Sequence, residues 1–252
     1  MSTKIKAITF DLWDTVFIDD SDEAKRKRAG RLPKSLERRR LMRDFIQKHR
    51  LIDQSTVNKV YDAVDLAFRK VWHEHYVTWK VAERLDIIQK ALEVELPADE
   101  MDELVRLHEE MELEFMPDIV PGVKDAINSL SQNYRLGVIS DAIFSPGRAL
   151  RKILENYDLL HFFHTFVFSD ELGHSKPDPA VFASACMQLE VEPNELVHIG
   201  DREHNDILYA KKLGVNAVLC TAALDRGSDP QNADGHFSDY ADLDTIINDL
   251  NN

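Results

Sequence analysis

Short apolar runs and long amphipathic stretches divide this chain of 252 residues into two kinds of territory. Near the N-terminus, Ala7 to Phe10 is a brief apolar run with β-branched residues, the pattern of a strand buried on both faces. Similar runs recur at 136–139, 166–168, 196–199 and 216–220. Between and after them, helical patterns are predicted over 122–132, 147–156, 179–190, 205–213 and 241–250. Pro121-Gly122, Pro146-Gly147 and Pro179 stand near helix starts, and Gly214 takes the place of a C-cap glycine before the run at 216–220. Strands alternating with helices in this way predict an α/β fold, a doubly wound parallel sheet with right-handed crossovers.

Residues 20–116 follow a different rule. They contain no convincing strand, and the helical period predicts helices over 34–50, 55–76, 79–94 and 98–115. Leu41, Phe45 and Ile46 share one face of the first, and Val57, Val60, Tyr61, Val64, Phe68 and Val71 stripe the second. The expected organisation is therefore a core of residues 1–18 and 117–252 interrupted by an all-helical insertion over 19–116. Residues 20–34 read as mobile, and 225–236, rich in Gly, Asp and Asn, reads as a loop.

Charge sharpens the picture. The formal net charge of −14 argues against a general nucleic-acid binder. No apolar run approaches the roughly 18 residues of a membrane span. The first four residues lead straight into the first strand and leave no room for a signal peptide, so a cytoplasmic setting is expected. Cys186 and Cys220 lack metal-ligand spacing and read as small buried hydrophobes. Against the acidic background, residues 25–43 carry ten Lys or Arg and one acid, Glu37. Such a run is either a solvated face paired with acidic helices of the insertion or an electropositive rim for an anionic substrate or partner; without interleaved aromatics it does not resemble a nucleic-acid site. A second cluster, Trp72-His-Glu-His-Tyr-Val-Thr-Trp79, is either packing within the insertion or a pocket wall. His73 and His75 point different ways on a helix and make a poor metal pair.

Candidate chemistry collects where the strand-like runs stop. The first ends at Asp11, the second at Ser140-Asp141, the third leads to Lys176-Pro-Asp-Pro179, and the fourth ends at Gly200-Asp201 with Asn205-Asp206 just beyond. Ligands of open α/β sheets sit beyond the carboxyl ends of the strands. This order resembles the haloacid dehalogenase (HAD) superfamily, whose motifs are Asp-x-Asp-x-Thr, a Ser or Thr after a strand, a Lys often followed by Pro, and an acidic pair of the Gly-Asp-x-x-x-x-Asp kind. The likeness spans residues 6 to about 220, flanking the helical stretch. It implies that the insertion is a helical cap, and that the protein is a Mg²⁺-dependent hydrolase of a small phosphorylated metabolite. In that reading Asp11 is the nucleophile and forms an aspartyl phosphate, splitting hydrolysis into two easier steps. Ser140, Asp141, Lys176 and Thr15 receive the phosphoryl group, with Lys176 neutralising developing charge. Asp11, the backbone carbonyl of Trp13, Asp201 and Asp206 form the metal site.

One position departs from the pattern. The superfamily's phosphatases carry a second Asp two residues after the first; here it is Trp13. Thr15 keeps its place, so Asp14 cannot slide into the vacant role. Indole neither donates nor accepts the proton that general acid–base catalysis moves, a contribution of roughly 10²–10⁴-fold. A weakly basic leaving group tolerates that loss best, or His73 or His75 could supply the proton. An aromatic residue at this position also resembles the 2-haloacid dehalogenases, which expel halide without metal, but the retained Asp201 and Asp206 favour a metal-dependent phosphatase. A non-catalytic homologue that binds a phosphorylated ligand or a protein is the remaining alternative.

Overall fold

The computed structural model describes residues 4–251. β1 (Ala7–Phe10) is followed by six helices: α1 (Ser21–Arg28), α2 (Lys34–Ile46), α3 (Gln54–His75), α4 (Val81–Ala91), α5 (Ala98–Glu109) and α6 (Met111–Glu114). The chain then alternates through α7 (Val123–Ser131), β2 (Arg135–Ser140), α8 (Gly147–Asn156), β3 (Phe163–Phe168), α9 (Ser169–Leu172), α10 (Pro179–Leu189), β4 (Leu196–Gly200), α11 (Tyr209–Lys212), β5 (Asn216–Cys220), β6 (Gly235–Phe237) and α12 (Leu243–Asp249). All strand pairs are parallel, in the order β3-β2-β1-β4-β5-β6. The order reverses at β1, which lies between β2 and β4. A crevice opens at such a switch point, and Asp11 is the first residue beyond β1.

Alternation along the strands builds two cores. Ile8, Phe10, Val138 and Ile199 pack with Ile127 of α7, Ile153 of α8 and Leu243 of α12 on one face. Ala7, Ile139, Val167 and Leu219 pack with Phe182 and Leu189 of α10 and Ala210 of α11 on the other. The inserted helices close around a third cluster that includes Met42, Ile46, Val57, Val64, Leu85, Ile88 and Leu104. No helix among the described residues is long and apolar enough to cross a membrane. Cys186 and Cys220 are both buried and unpaired.

The segment expected to be mobile and the expected tail loop both contain structure. Within 20–34, α1 is held because Asp22 and Arg26 are buried. Lys34 Nζ meets Asp22 Oδ1 at 2.7 Å, and Arg26 Nε donates to the Leu32 carbonyl at 3.2 Å. Within 225–236, Gly235 begins β6 beside Val218 of β5. A Cβ at Gly235 would come within 2.5 Å of Ile246, so the strand needs glycine there.

Candidate active site

Each chemical side chain is delivered by a strand end. Asp11, one residue past β1, is 6% exposed, and Lys176, from the loop after α9, is 4% exposed. Lys176 Nζ donates to Asp11 Oδ1 at 2.6 Å and to Asp206 Oδ1 at 2.5 Å. Among the described residues Asp11 Oδ2 accepts no hydrogen bond. The Lys176 backbone N–H donates to Asp141 Oδ1 at 2.9 Å, tying the strand end of β2 to the same loop. Asp206 sits in a π-helical turn, Glu203–Leu208, and its Oδ2 accepts from the Arg202 N–H at 2.9 Å. His198, inside β4, lies 3.2 Å from Asp206 Oδ1 through Nε2, with Thr9 Oγ1 on its other nitrogen. Gly200 is obligatory in this arrangement, because a Cβ there would overlap the Asp206 carboxyl.

The cluster is buried and its charges are strongly coupled. Burial, aided by Asp206 and Asp201, pushes the Asp11 carboxyl up to about 7 despite Lys176. Burial also pushes Asp141 up to about 7. For Asp206, burial is outweighed by Lys176 and His198, which hold it below the ordinary carboxylate range. Burial alone would lower Lys176, but Asp11, Asp206 and Asp141 together raise it above the ordinary range, so it stays an ammonium.

Asp11, Asp201 and Asp206 bring carboxylate oxygens within 4.8 Å of one another. Asp201 Oδ1 is buried without a hydrogen-bond partner, and so are Ser140 Oγ and Thr15 Oγ1. An unpartnered carboxylate oxygen in an acidic, buried cluster suits a hard divalent cation, so the donor set fits Mg²⁺.

Beside this cluster lies a cavity of about 500 Å³. Asp11, Trp13, Asp141 and Lys176 line it from the sheet, and Lys34, Arg38, Arg69, Trp72 and Glu112 from the inserted helices. Thr15, Ser140, Asp201 and Asp206 lie behind that wall, each buried. Among the residues singled out in the aromatic segment, Trp72 reaches the cavity, whereas His73 and His75 are exposed and do not line it. The basic run is mostly neutralised locally. Lys25 pairs with Asp118, Arg31 with Glu114, Arg39 with Asp62, Arg40 with Glu37 and Asp44, and Arg43 with Asp44. Lys34 and Arg38 share Glu112 at the cavity wall, at 3.3 and 3.5 Å.

Asp14 adopts a left-handed backbone, φ 55°. Its carboxyl is turned from the cavity and held by Arg226 Nη2 at 2.6 Å and the Asp19 N–H at 3.0 Å. Arg226 also bonds Asp201 Oδ2 through Nε. Sequence reasoning overlooked Arg226 and His198. The usable signal for Arg226 was its isolation, since no other Lys or Arg follows Lys212.

Comparisons with known proteins agree with this architecture. The chain is 30% identical over 118 residues to a glyceraldehyde 3-phosphate phosphatase of Methanopyrus kandleri, a match covering 47% of this chain and 48% of that protein. It is 28% identical over 113 residues to phosphoglycolate phosphatase 1 of Pseudomonas aeruginosa, covering 44% and 40%. The chain thus spans about half or less of the length of these curated relatives. The fold is similar to that of a HAD phosphatase from Thermococcus onnurineus, with TM-score 0.65, 21% identity and coverage of 96% and 98% of the two chains. It is equally similar to that of a 2-haloacid dehalogenase from Pseudomonas syringae, with TM-score 0.66, 23% identity and coverage of 97% and 99%. The family profile described as haloacid dehalogenase-like hydrolase matches residues 48–220, and with the parallel sheet and its strand-end site this chain belongs to that family.

Proposed function

We propose that this protein is a metal-assisted phosphatase acting on a small phosphorylated metabolite, with Asp11 as nucleophile and the inserted helices of 19–116 as a cap over the site. The observation that carries the reading is the placement of one ammonium, Lys176, between Asp11 and Asp206, beside an unpaired Asp201 oxygen and an open cavity. Lys176 fixes Oδ1 of Asp11 and leaves Oδ2 to attack phosphorus in line with the ester oxygen. Asp11, Asp201 and the Trp13 carbonyl would hold Mg²⁺, with Asp206 beside it, and the bound ion would screen the phosphate charge as the carboxylate approaches. Asp206 and Asp141 keep Lys176 protonated and oriented from its side chain and its backbone respectively. Ser140 Oγ, buried with no partner, is a donor held ready for a phosphoryl oxygen. The glyceraldehyde 3-phosphate and phosphoglycolate phosphatases among the relatives support a phosphomonoester as substrate.

The test is phosphate release from phenyl phosphate at neutral pH with Mg²⁺ and with EDTA, beside halide release from a 2-haloacid. Release that needs Mg²⁺ and disappears in Asp11→Asn is expected. Trp13 supports the dehalogenase as second reading, since halide leaves without a proton. Halide release that survives EDTA would move the protein to that chemistry and overturn the phosphatase.

A further inference from the structure

We infer that the natural substrate is an aryl phosphate, a monoester whose phosphate sits directly on an aromatic ring. The inference rests on the phosphatase reading above and adds the class of leaving group. Two independent observations point to it, one from the wall of the cavity and one from its proton chemistry.

Among the charged residues that line the cavity stand two indoles, one from the sheet side and one from the inserted helices. Trp13 follows the nucleophile by two residues and lines the cavity, and Phe17 packs edge-on behind it, ring centroids 5.9 Å apart. Trp72, from α3, lines the same cavity and is stacked on buried Phe68 at 6.1 Å and an interplanar angle of 5°. Each indole is packed against a phenyl ring, which limits its rotation, so a planar group can cover it at little entropic cost. At about 500 Å³ the space accommodates a ring beside the phosphate.

The proton chemistry narrows the class further. Trp13, two residues after the nucleophile, presents an indole to the cavity, and an indole cannot protonate a departing oxygen. Asp14, its neighbour, is locked by Arg226 and Asp19 and faces away. The other lining carboxyls, the nucleophile aside, are each engaged: Glu112 by Lys34, Arg38 and Ser145, Asp20 by Lys34, Glu23 by the Lys34 N–H, Asp19 by the Asp20 N–H and Asp141 by the Lys176 N–H. An alkoxide leaving without a proton is strongly disfavoured, whereas a phenolate leaves as the anion. In the first step Asp11 Oδ2 bonds to phosphorus as the phosphorus–oxygen bond to the ring breaks, and the electron pair departs on the phenolate oxygen, which takes its proton from water after release. Water then attacks phosphorus, its protons pass to phosphate and solvent, and the bond to Asp11 breaks to restore the carboxylate. A nucleotide meets the first observation and not the second, because its base stacks while its ester oxygen is an alkoxide.

Three esters separate these terms in the protein with Mg²⁺: phenyl phosphate, benzyl phosphate and glycerol 3-phosphate. Benzyl phosphate keeps the ring but leaves as an alkoxide. The expected kcat/KM for phenyl phosphate exceeds that for benzyl phosphate by about 100-fold, the scale of a missing general acid. Across ring-substituted phenyl phosphates kcat/KM rises steeply as the phenol becomes more acidic, and Trp13→Asp flattens that slope. Trp72→Ala raises KM for phenyl phosphate about fivefold, Trp72→Phe restores most of it, and inhibition by inorganic phosphate is unchanged in both. Comparable kcat/KM for all three esters, or a flat response to phenol acidity, overturns the inference alone and assigns the proton to another lining carboxyl such as Asp141. Release of phosphate from none of the esters overturns the phosphatase reading and this inference together.

Discussion

Lys176 shows how much one side chain carries here. It is the cation that contacts both Asp11 and Asp206, and its backbone N–H also orients Asp141. Lys176→Met keeps the stem and removes the charge. The carboxyls around it can then take up a proton, so the chain should remain folded by circular dichroism while turnover of phenyl phosphate falls about 10³-fold. Turnover within tenfold of the parent would remove Lys176 from the mechanism. Asp11, Asp141, Lys176, Asp201 and Asp206 were legible in the sequence because each follows a strand-like run, and strand ends converge in a parallel sheet. Lys34, Arg38 and Arg226 were not, because their roles depend on where helices and a loop distant in sequence come to rest. Trp13 was legible as a departure, and its braced position in the cavity wall is a finding of the structure.

At the scale of elements, the inserted helices contain a titratable joint. His108 of α5 is 1% exposed; Nδ1–H donates to the Leu104 carbonyl at 2.8 Å and Nε2 accepts from Tyr61 of α3 at 2.9 Å. Burial, reinforced by Arg38, lowers its pKa from 6.5 to about 3. Below pH 6.5 the unfolded chain takes up a proton that the folded chain refuses. The stability His108 contributes is therefore complete above pH 6.5 and is lost as pH falls toward 3, at roughly 1.4 kcal/mol per unit. Urea unfolding at pH 7 and pH 5 should show His108→Gln losing about 2 kcal/mol less than the parent over that interval; equal losses would show that His108 does not refuse the proton. The elements themselves were mostly readable. The stripe Val57, Tyr61, Val64 and Phe68 is the buried face of α3. Charged α1 was hidden because its order comes from a buried Asp22–Lys34 pair rather than an apolar stripe. β6 was hidden by being only three residues long, and the π-turn that aims Asp206 has no periodic signature in sequence.

Across the whole molecule, the sheet and the inserted helices each supply half of the cavity, so their join sets its shape. One part of the join is a bridge between residues 76–78 and 173–175, and another is the loop 141–146, which starts at the Asp141 carboxyl and meets the helices. Phe144 lies between two guanidiniums, Arg38 of α2 at 3.8 Å and Arg84 of α4 at 4.2 Å from the ring centroid. Arg84 also donates to the Ile143 carbonyl, and Ser145 donates to Glu112 at 2.7 Å. Arg84 is 4% exposed, so these contacts are desolvated, where a cation over a ring is worth about 2 kcal/mol. Trp72 and Arg38 reach the cavity from the far side of this join, while Asp11 and Lys176 approach from the near side. Phe144→Ala should therefore loosen the helices over the sheet without touching the carboxylate cluster. KM for phenyl phosphate should rise about tenfold with Mg²⁺ affinity by calorimetry unchanged, and small-angle scattering should show a larger radius of gyration that inorganic phosphate partly reverses. A variant with parental KM and dimensions would mean that the other contacts of the join suffice, and that Phe144 packs against the two arginines without governing how the two halves of the cavity meet.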